Sequence, residues 1–180
     1  MTEIKIHGLG GQGVVTMAKI IAISAFKNKL FAQAFPSFGP ERVGAPVEAF
    51  VRVDNKEIRL REQVYEPDFL IIIEEKLIAN EEIKKGITRK TKIIINSKKS
   101  TKELQKILKS KNIYSLDCRE IAEKLLNKKL INTALLGFFA KKSKIFDLKT
   151  LQEILKDYFK EKGEEVVKKN LKAADIAYKN

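Results

Sequence analysis

Ile4-Lys5-Ile6-His7-Gly8-Leu9-Gly10-Gly11-Gln12-Gly13-Val14-Val15-Thr16 is the stretch on which the fold turns. Glu3–His7 is short and partly apolar, which predicts a strand. Val14–Lys27 carries apolar residues nearly all round, which predicts a buried helix. Between them, Gly8, Gly10 and Gly13 satisfy the G-x-G-x-x-G spacing of a dinucleotide-binding turn. A strand, a glycine turn and a helix start suit an anion: glycines let the backbone approach it, and free N–H groups and the helix dipole attract it. The alternative is that the glycines serve only close packing of strand against helix.

A nicotinamide site makes a further demand. An acidic residue should end the second strand, roughly twenty residues beyond the glycines, to hold the ribose. The second apolar stretch is Leu30–Phe35, and no Asp or Glu follows it until Glu41, which lies inside a Gly/Pro loop. The next strand candidate, Val47–Val53, alternates with period two. It runs through an Asp54-Asn55-Lys56 turn toward Glu57–Arg61, which predicts a hairpin. The chain opens like a Rossmann unit and then departs from it, so a dehydrogenase is the minority reading.

Beyond Pro67 the texture changes. Phe69–Ile73, Lys92–Asn96 and Ile113–Asp117 are apolar runs typical of parallel strands buried on both faces. Helical patterns separate and follow them: Glu75–Lys85, Thr101–Ser110, Arg119–Leu126, Asn132–Lys142, Leu148–Lys160 and Glu164–Lys179. The expectation is an α/β fold of three layers, a mostly parallel sheet with an antiparallel hairpin, in one domain over residues 1–180.

Composition narrows the function. With 180 residues and 44% hydrophobic content the chain can bury a sizeable core. No apolar run approaches the ~18 residues of a membrane span. Met1-Thr2-Glu3-Ile4 leads directly into the first strand, which predicts no signal peptide and a cytoplasmic location. The net charge of +13 invites a nucleic-acid reading. The lysines, however, alternate with Ile and Leu at helical spacing among Glu and Asp, the pattern of solvated helix faces, and no nucleic acid is expected as partner. Cys118 is the only cysteine and His7 the only histidine, so the usual zinc spacings and cluster-ligand sets are missing. Cys118 reads as a small buried residue at a strand-to-helix transition. His7, ending the first strand, is either a site residue or, more commonly, a hydrogen-bonded structural histidine. No catalytic residue and no metal ligand is assigned.

The loop Phe35–Pro46 is the second motif. It holds three of the four prolines, Gly39, Gly44 and the pair Glu41-Arg42, and Ala45 is kept extended by the proline after it. Such rigid loops present groups to a partner; otherwise Glu41 and Arg42 form a surface pair worth under ~1 kcal/mol.

With both motifs in hand, the chain resembles the gamma subunits of the 2-oxoacid:ferredoxin oxidoreductases. The resemblance rests on Gly8-x-Gly10-Gly11-Gln12-Gly13 with Thr16. It rests equally on Gln33-Ala34-Phe35-Pro36-x-Phe38-Gly39-Pro40-Glu41-Arg42-x-Gly44-Ala45-Pro46-Val47-x-Ala49-Phe50-x-Arg52, and on Asn132-Thr133-Ala134-Leu135-Leu136-Gly137. The Ala-Pro-Val version is similar to the pyruvate branch; the 2-oxoglutarate branch usually carries Gly-Gly there. Leu9 and Val43 stand where the family often has arginine.

The resemblance implies oxidative decarboxylation of pyruvate to acetyl-CoA with reduction of ferredoxin. Thiamine diphosphate and [4Fe–4S] clusters would lie on companion alpha, beta and delta subunits. This chain would line the active site and assist coenzyme A. It marks Gly8, Gly10, Gly11, Gln12, Gly13 and Thr16 as cofactor-binding candidates. Phe38, Gly39, Glu41, Arg42, Gly44, Pro46 and Asn132 are candidates for an interface or active-site wall. Asn132 can cap its helix or hydrogen-bond across an interface, with the cap favoured. Another 2-oxoacid and a stand-alone nucleotide-binding protein are the competing readings.

Overall fold

Alternation along three apolar runs builds the centre of the molecule. In the computed structural model, which describes residues 1–37, 44–125 and 130–180, strand β4 (Phe69–Ile72) lies between β1 (Thr2–Leu9) and β5 (Lys92–Asn96). Successive side chains of a strand point to opposite faces. Phe69, Ile71 and Ile94 therefore join one core while Leu70, Ile72, Ile93 and Ile95 join another. The first core is covered by α1 (Val14–Lys27), α5 (Ile131–Ser143), α6 (Leu148–Phe159) and α7 (Glu164–Tyr178). The second is covered by α3 (Thr101–Leu108) and the short turns after β4. Helices on both faces of one sheet give the expected three layers.

The six strands run in the order β2-β3-β1-β4-β5-β6, with β2 Phe31–Pro36, β3 Pro46–Asp54 and β6 Ile113–Leu116. Pairing is parallel from β1 through β4 and β5 to β6, and antiparallel where β3 meets β1 and β2. The mostly parallel sheet with an antiparallel element is as expected; the hairpin partner expected for β3 is not. Glu57–Arg61 forms no strand. A strand has two edges, and β3 spends one on β1 (His7 opposite Glu48) and the other on β2 (Ala34 opposite Val51). No edge remains for 57–61, which continues as irregular chain.

That irregular chain is anchored from below. Arg52, 2% exposed, donates from Nε to Glu3 Oε1 at 2.8 Å and from Nη2 to the Gln63 carbonyl at 3.2 Å. Its guanidinium lies 5.4 Å from the Phe35 ring centre. Val64 is buried beside this anchor in sequence, and Asp68 N–H bonds the Glu3 carbonyl just before β4 starts.

Two helical expectations change. Glu75–Lys85 is not one helix but a 3₁₀ turn at Glu75–Ala79 followed by α2 (Glu81–Lys84). Asn80 separates them because its side chain accepts the Glu82 N–H at 3.0 Å, restarting the helix as an N-cap. The helix expected at Arg119–Leu126 is α4 (Cys118–Lys124), begun by Asp117, whose carboxylate accepts the Arg119 and Glu120 N–H groups. Many helix lysines pair one turn away with acids, as in Lys124–Glu120 and Lys169–Glu165. No helix among the described residues is long and apolar enough to cross a membrane.

Candidate ligand cleft at the glycine loop

Because β1, β4, β5 and β6 are parallel, their C-terminal ends share one edge of the sheet, the place where open α/β sheets bind ligands. That edge collects the glycine loop, Glu74, Asn96, and Asp117 to Arg119. Asn96, 2% exposed, knits it together: its Nδ2 donates to the Ile73 carbonyl and its Oδ1 accepts the Cys118 N–H, both at 3.0 Å.

The loop turns because Gly11 and Gly13 adopt φ of +87° and +74°, conformations costly for other residues. Gln12 N–H closes the turn on the Leu9 carbonyl at 2.9 Å, and Met17 N–H to Gly13 O begins α1. No side chain caps α1, and none caps α5. Gly11, Gln12, Gly13 and Thr16 form one wall of a cleft of about 820 Å³. The α5 start (Leu130, Ile131, Asn132) faces them, with Phe159, Val166 and Asn170 beyond. The lining mixes polar groups (Gln12, Thr16, Asn132, Lys162, Asn170) with apolar ones (Ile131, Phe159, Val166), which suits an amphipathic organic ligand.

The two motifs meet here. Gly10 N–H bonds the Ala45 carbonyl at 2.8 Å, Gly44 N–H bonds the Gly10 carbonyl at 3.2 Å, and Pro46 stands opposite Leu9. Asn132 joins them from 120 residues away, its Nδ2 donating to the Gln12 carbonyl. The cap reading of Asn132 is thereby corrected: Leu130 occupies the N-cap position, and the Asn132 amide is spent on the glycine loop. Contact is so close that a Cβ on Gly13 would sit 2.6 Å from Asn132 Nδ2.

The six glycine-loop candidates divide. Gly11, Gln12, Gly13 and Thr16 line the cleft. Gly8 does not: a Cβ there would lie 2.6 Å from Val14 Cγ2, so it is the glycine of strand–helix packing. Gly10 is occupied with the 44–45 backbone. Gly44 and Pro46 border the loop, whereas Phe38, Gly39, Glu41 and Arg42 lie outside the described residues.

Two residues were not marked by the sequence. Glu74, just beyond β4, accepts Gln12 Nε2 at 3.1 Å and Arg119 Nη2 at 2.9 and 2.8 Å on its two oxygens. Gln12 Oε1 in turn accepts the Leu9 N–H at 2.8 Å. Burial by itself would raise the Glu74 pKa; the hydrogen bonds from Gln12 and Arg119 and the Arg119 charge outweigh it and leave the carboxyl below its usual value. The signal lay in Gln12, an amide in a turn, which needs partners at both ends.

The dinucleotide reading also meets a topological obstacle. In such a site β2 lies beside β1; here β3 is inserted between them. Any acid ending β2 would stand two strands away from the glycine turn.

His7 corrects another expectation. Its ring is fully buried, yet neither nitrogen has a hydrogen-bond partner among the described residues. Burial, then the Lys5 charge, depress its pKa to about 3. Glu48 lies 3.3 Å from Nδ1 but is shared with Lys5 at 3.6 Å. An unfolded histidine protonates near pH ~6.5, so below that pH the unfolded chain binds a proton the folded chain refuses. The stabilisation from neutral His7 is complete above that value and drains away as pH falls toward 3. Melts of the wild type should lose roughly 2–3 kcal/mol from this group between pH 7 and 4.5, and His7→Gln should have a correspondingly flatter acid limb. Parallel limbs for the two proteins would refute the assignment. Cys118, by contrast, is buried as expected, and burial pushes its thiol well above the usual range.

Comparison with known proteins meets this geometry. Residues 3–180 match the family model of pyruvate ferredoxin/flavodoxin oxidoreductase. The chain is 40% identical over 180 residues to the Pyrococcus furiosus pyruvate/ketoisovalerate oxidoreductases common subunit gamma, covering 99% of this chain and 96% of that one. It is 41% identical over 178 residues to the pyruvate synthase subunit PorC of Methanocaldococcus jannaschii, with the same coverage. Its fold matches the crystal structure of the Thermotoga maritima pyruvate oxidoreductase subunit PORC with a TM-score of 0.87 and 27% identity, over 99% and 96% of the two chains. The chain belongs to the pyruvate ferredoxin/flavodoxin oxidoreductase family, among the gamma or PorC-type subunits of the multisubunit pyruvate and 2-oxoacid:ferredoxin oxidoreductases.

Proposed function

We propose that this chain serves a cytoplasmic pyruvate:ferredoxin oxidoreductase whose alpha, beta and delta subunits carry thiamine diphosphate and the [4Fe–4S] clusters. In that assembly it helps hold coenzyme A. The observation that carries the reading is the convergence of the glycine loop, the Gly44–Pro46 segment and Asn132 on one cleft. Gly11, Gln12, Gly13 and Thr16 would offer backbone and hydroxyl groups to the ligand's polar part, and Ile131, Phe159 and Val166 would exclude water from its apolar part. Phe38, Gly39, Glu41 and Arg42, outside the described residues, are proposed from the family motif alone as contacts to the partner subunits or the active site. A single buried cysteine with a raised thiol pKa is unsuited to cluster ligation, which favours placing the clusters on partners.

Purification from the native source tests this. Co-elution with three partners and pyruvate- and coenzyme-A-dependent ferredoxin reduction is expected; elution as a lone chain would overturn it. A second reading has its own support. Because the Pyrococcus and Thermococcus relatives are common subunits of pyruvate and ketoisovalerate enzymes, this chain would also be shared with a branched-chain 2-oxoacid enzyme. Tagging it should then retrieve two distinct alpha–beta pairs.

A further inference from the structure

A guanidinium lies beside the glycine loop, supplied by an element where the sequence had marked none. Arg119 sits in the first turn of α4, and Glu74 fixes it through Nη2 alone. The Glu74 side chain is 9% exposed and that of Arg119 is 43% exposed. One terminal nitrogen of the guanidinium is thus held while the group stays partly open to solvent. Nη1 and Nε have no partner among the described residues. Arg119 is also, with Asn96, common to the large cleft and to a second one of about 410 Å³, where Lys98 and Lys99 stand. In that second cleft Lys98 is paired with Asp117 and Lys99 with Glu75. Arg119 therefore faces the large cleft with donors to spare at its glycine-loop wall, while Lys162, over the Phe159 ring at 5.4 Å, is a second cation lining that cleft.

We infer that Arg119 reads the phosphate-bearing part of the ligand held in the large cleft, and that Glu74 is the positioning residue that aims it. This rests on the coenzyme A reading above. A guanidinium forms charge-assisted hydrogen bonds with phosphate, here from Nη1 and Nε, and one already held in place loses less freedom on binding. Glu74 does two things with one carboxylate: it holds Arg119 and, through Gln12, the shape of the glycine turn. Loop geometry and guanidinium direction are coupled.

The test uses the assembled multisubunit enzyme and equilibrium binding of two probes, coenzyme A and pantetheine, which lacks the phosphates. Arg119→Gln should weaken coenzyme A about 10–100-fold, the range for charge-assisted hydrogen bonds, and leave pantetheine affinity within about twofold. Arg119→Lys should recover part of the loss, since a point charge replaces the fork. Glu74→Gln should weaken coenzyme A by about threefold to tenfold, with the guanidinium retained but released. Equal weakening of both probes by Arg119→Gln would make the residue merely structural and overturn the inference; so would unchanged coenzyme A binding. Val166→Trp, which fills the cleft, separates the two readings. If it weakens coenzyme A where Arg119→Gln does not, only the role of Arg119 falls. If neither variant matters, the cleft falls with it.

Discussion

Gly137→Ala should destabilise the chain by about 3 kcal/mol, near the upper end of overpacking costs, and lower its melting temperature by about 6–12 °C. Every residue of α5 from Thr133 through Ala140 is buried. Gly137 faces α7 across a gap with no room for a methyl group: a Cβ would overlap the Ala174 carbonyl and lie 2.9 Å from Ala174 Cα. The obstacle is backbone, so no rotamer change relieves it. Retreat toward the sheet is blocked too, because Phe139 packs edge-on against Phe69 of β4 with ring centres 5.5 Å apart. The helices must separate, and the cleft should widen with them, since α5 carries Asn132 and α7 carries Val166 and Asn170. Gly163→Ala is the control. A methyl group there would meet no atom within 4 Å, so only the backbone conformation, φ +96° with ψ 154°, is penalised, at about 1–3 kcal/mol. Thermal melts that place Gly137→Ala at or above Gly163→Ala would contradict this account.

Arg52→Ala should cost about 3 kcal/mol, toward the low end for breaking a buried ion pair. The low end applies because Glu3, the abandoned partner, keeps 25% side-chain exposure and can recruit water. The loss has three parts: Glu3 loses its cation, the Gln63 carbonyl loses its donor, and Phe35 loses the guanidinium stacked on it. Arg52→Met should cost clearly less, because it refills the volume without a charge. Since Gln63 ties the irregular segment to the sheet, trypsin should cut at the exposed Arg59 and Arg61 faster in Arg52→Ala than in the wild type. Urea midpoints for the two variants that coincide, or unchanged cutting, would show that the segment is held by other contacts.

The sheet was legible to the extent that one strand's own pattern specifies it. Phe69–Ile73 and Lys92–Asn96 announce burial on both faces and are the buried parallel strands β4 and β5, whereas Ile113–Asp117, read the same way, is the parallel edge strand β6, with Tyr114 exposed and only Ile113 buried. Strand pairing was less legible. Val47–Val53 reads correctly as a strand, yet nothing local says that β1 and β2 take both its edges and exclude Glu57–Arg61. The same limit applied at Asn132. Its position at a helix start favours a cap, and only the approach of the glycine loop diverts its amide.

Composition, periodicity and the two motifs were enough to determine an α/β chain with a glycine turn between strand and helix, and its resemblance to the gamma subunits. Those properties live in residues close together along the chain. Tertiary structure alone decided that the Gly44–Pro46 segment and Asn132 close on that turn, and that Glu74 and Arg119 join it. Those partners lie far from the turn along the chain, Asn132 by 120 residues. They meet because parallel strands deliver their C-terminal ends to one edge, while β3, running the other way, brings its N-terminal end to the same place.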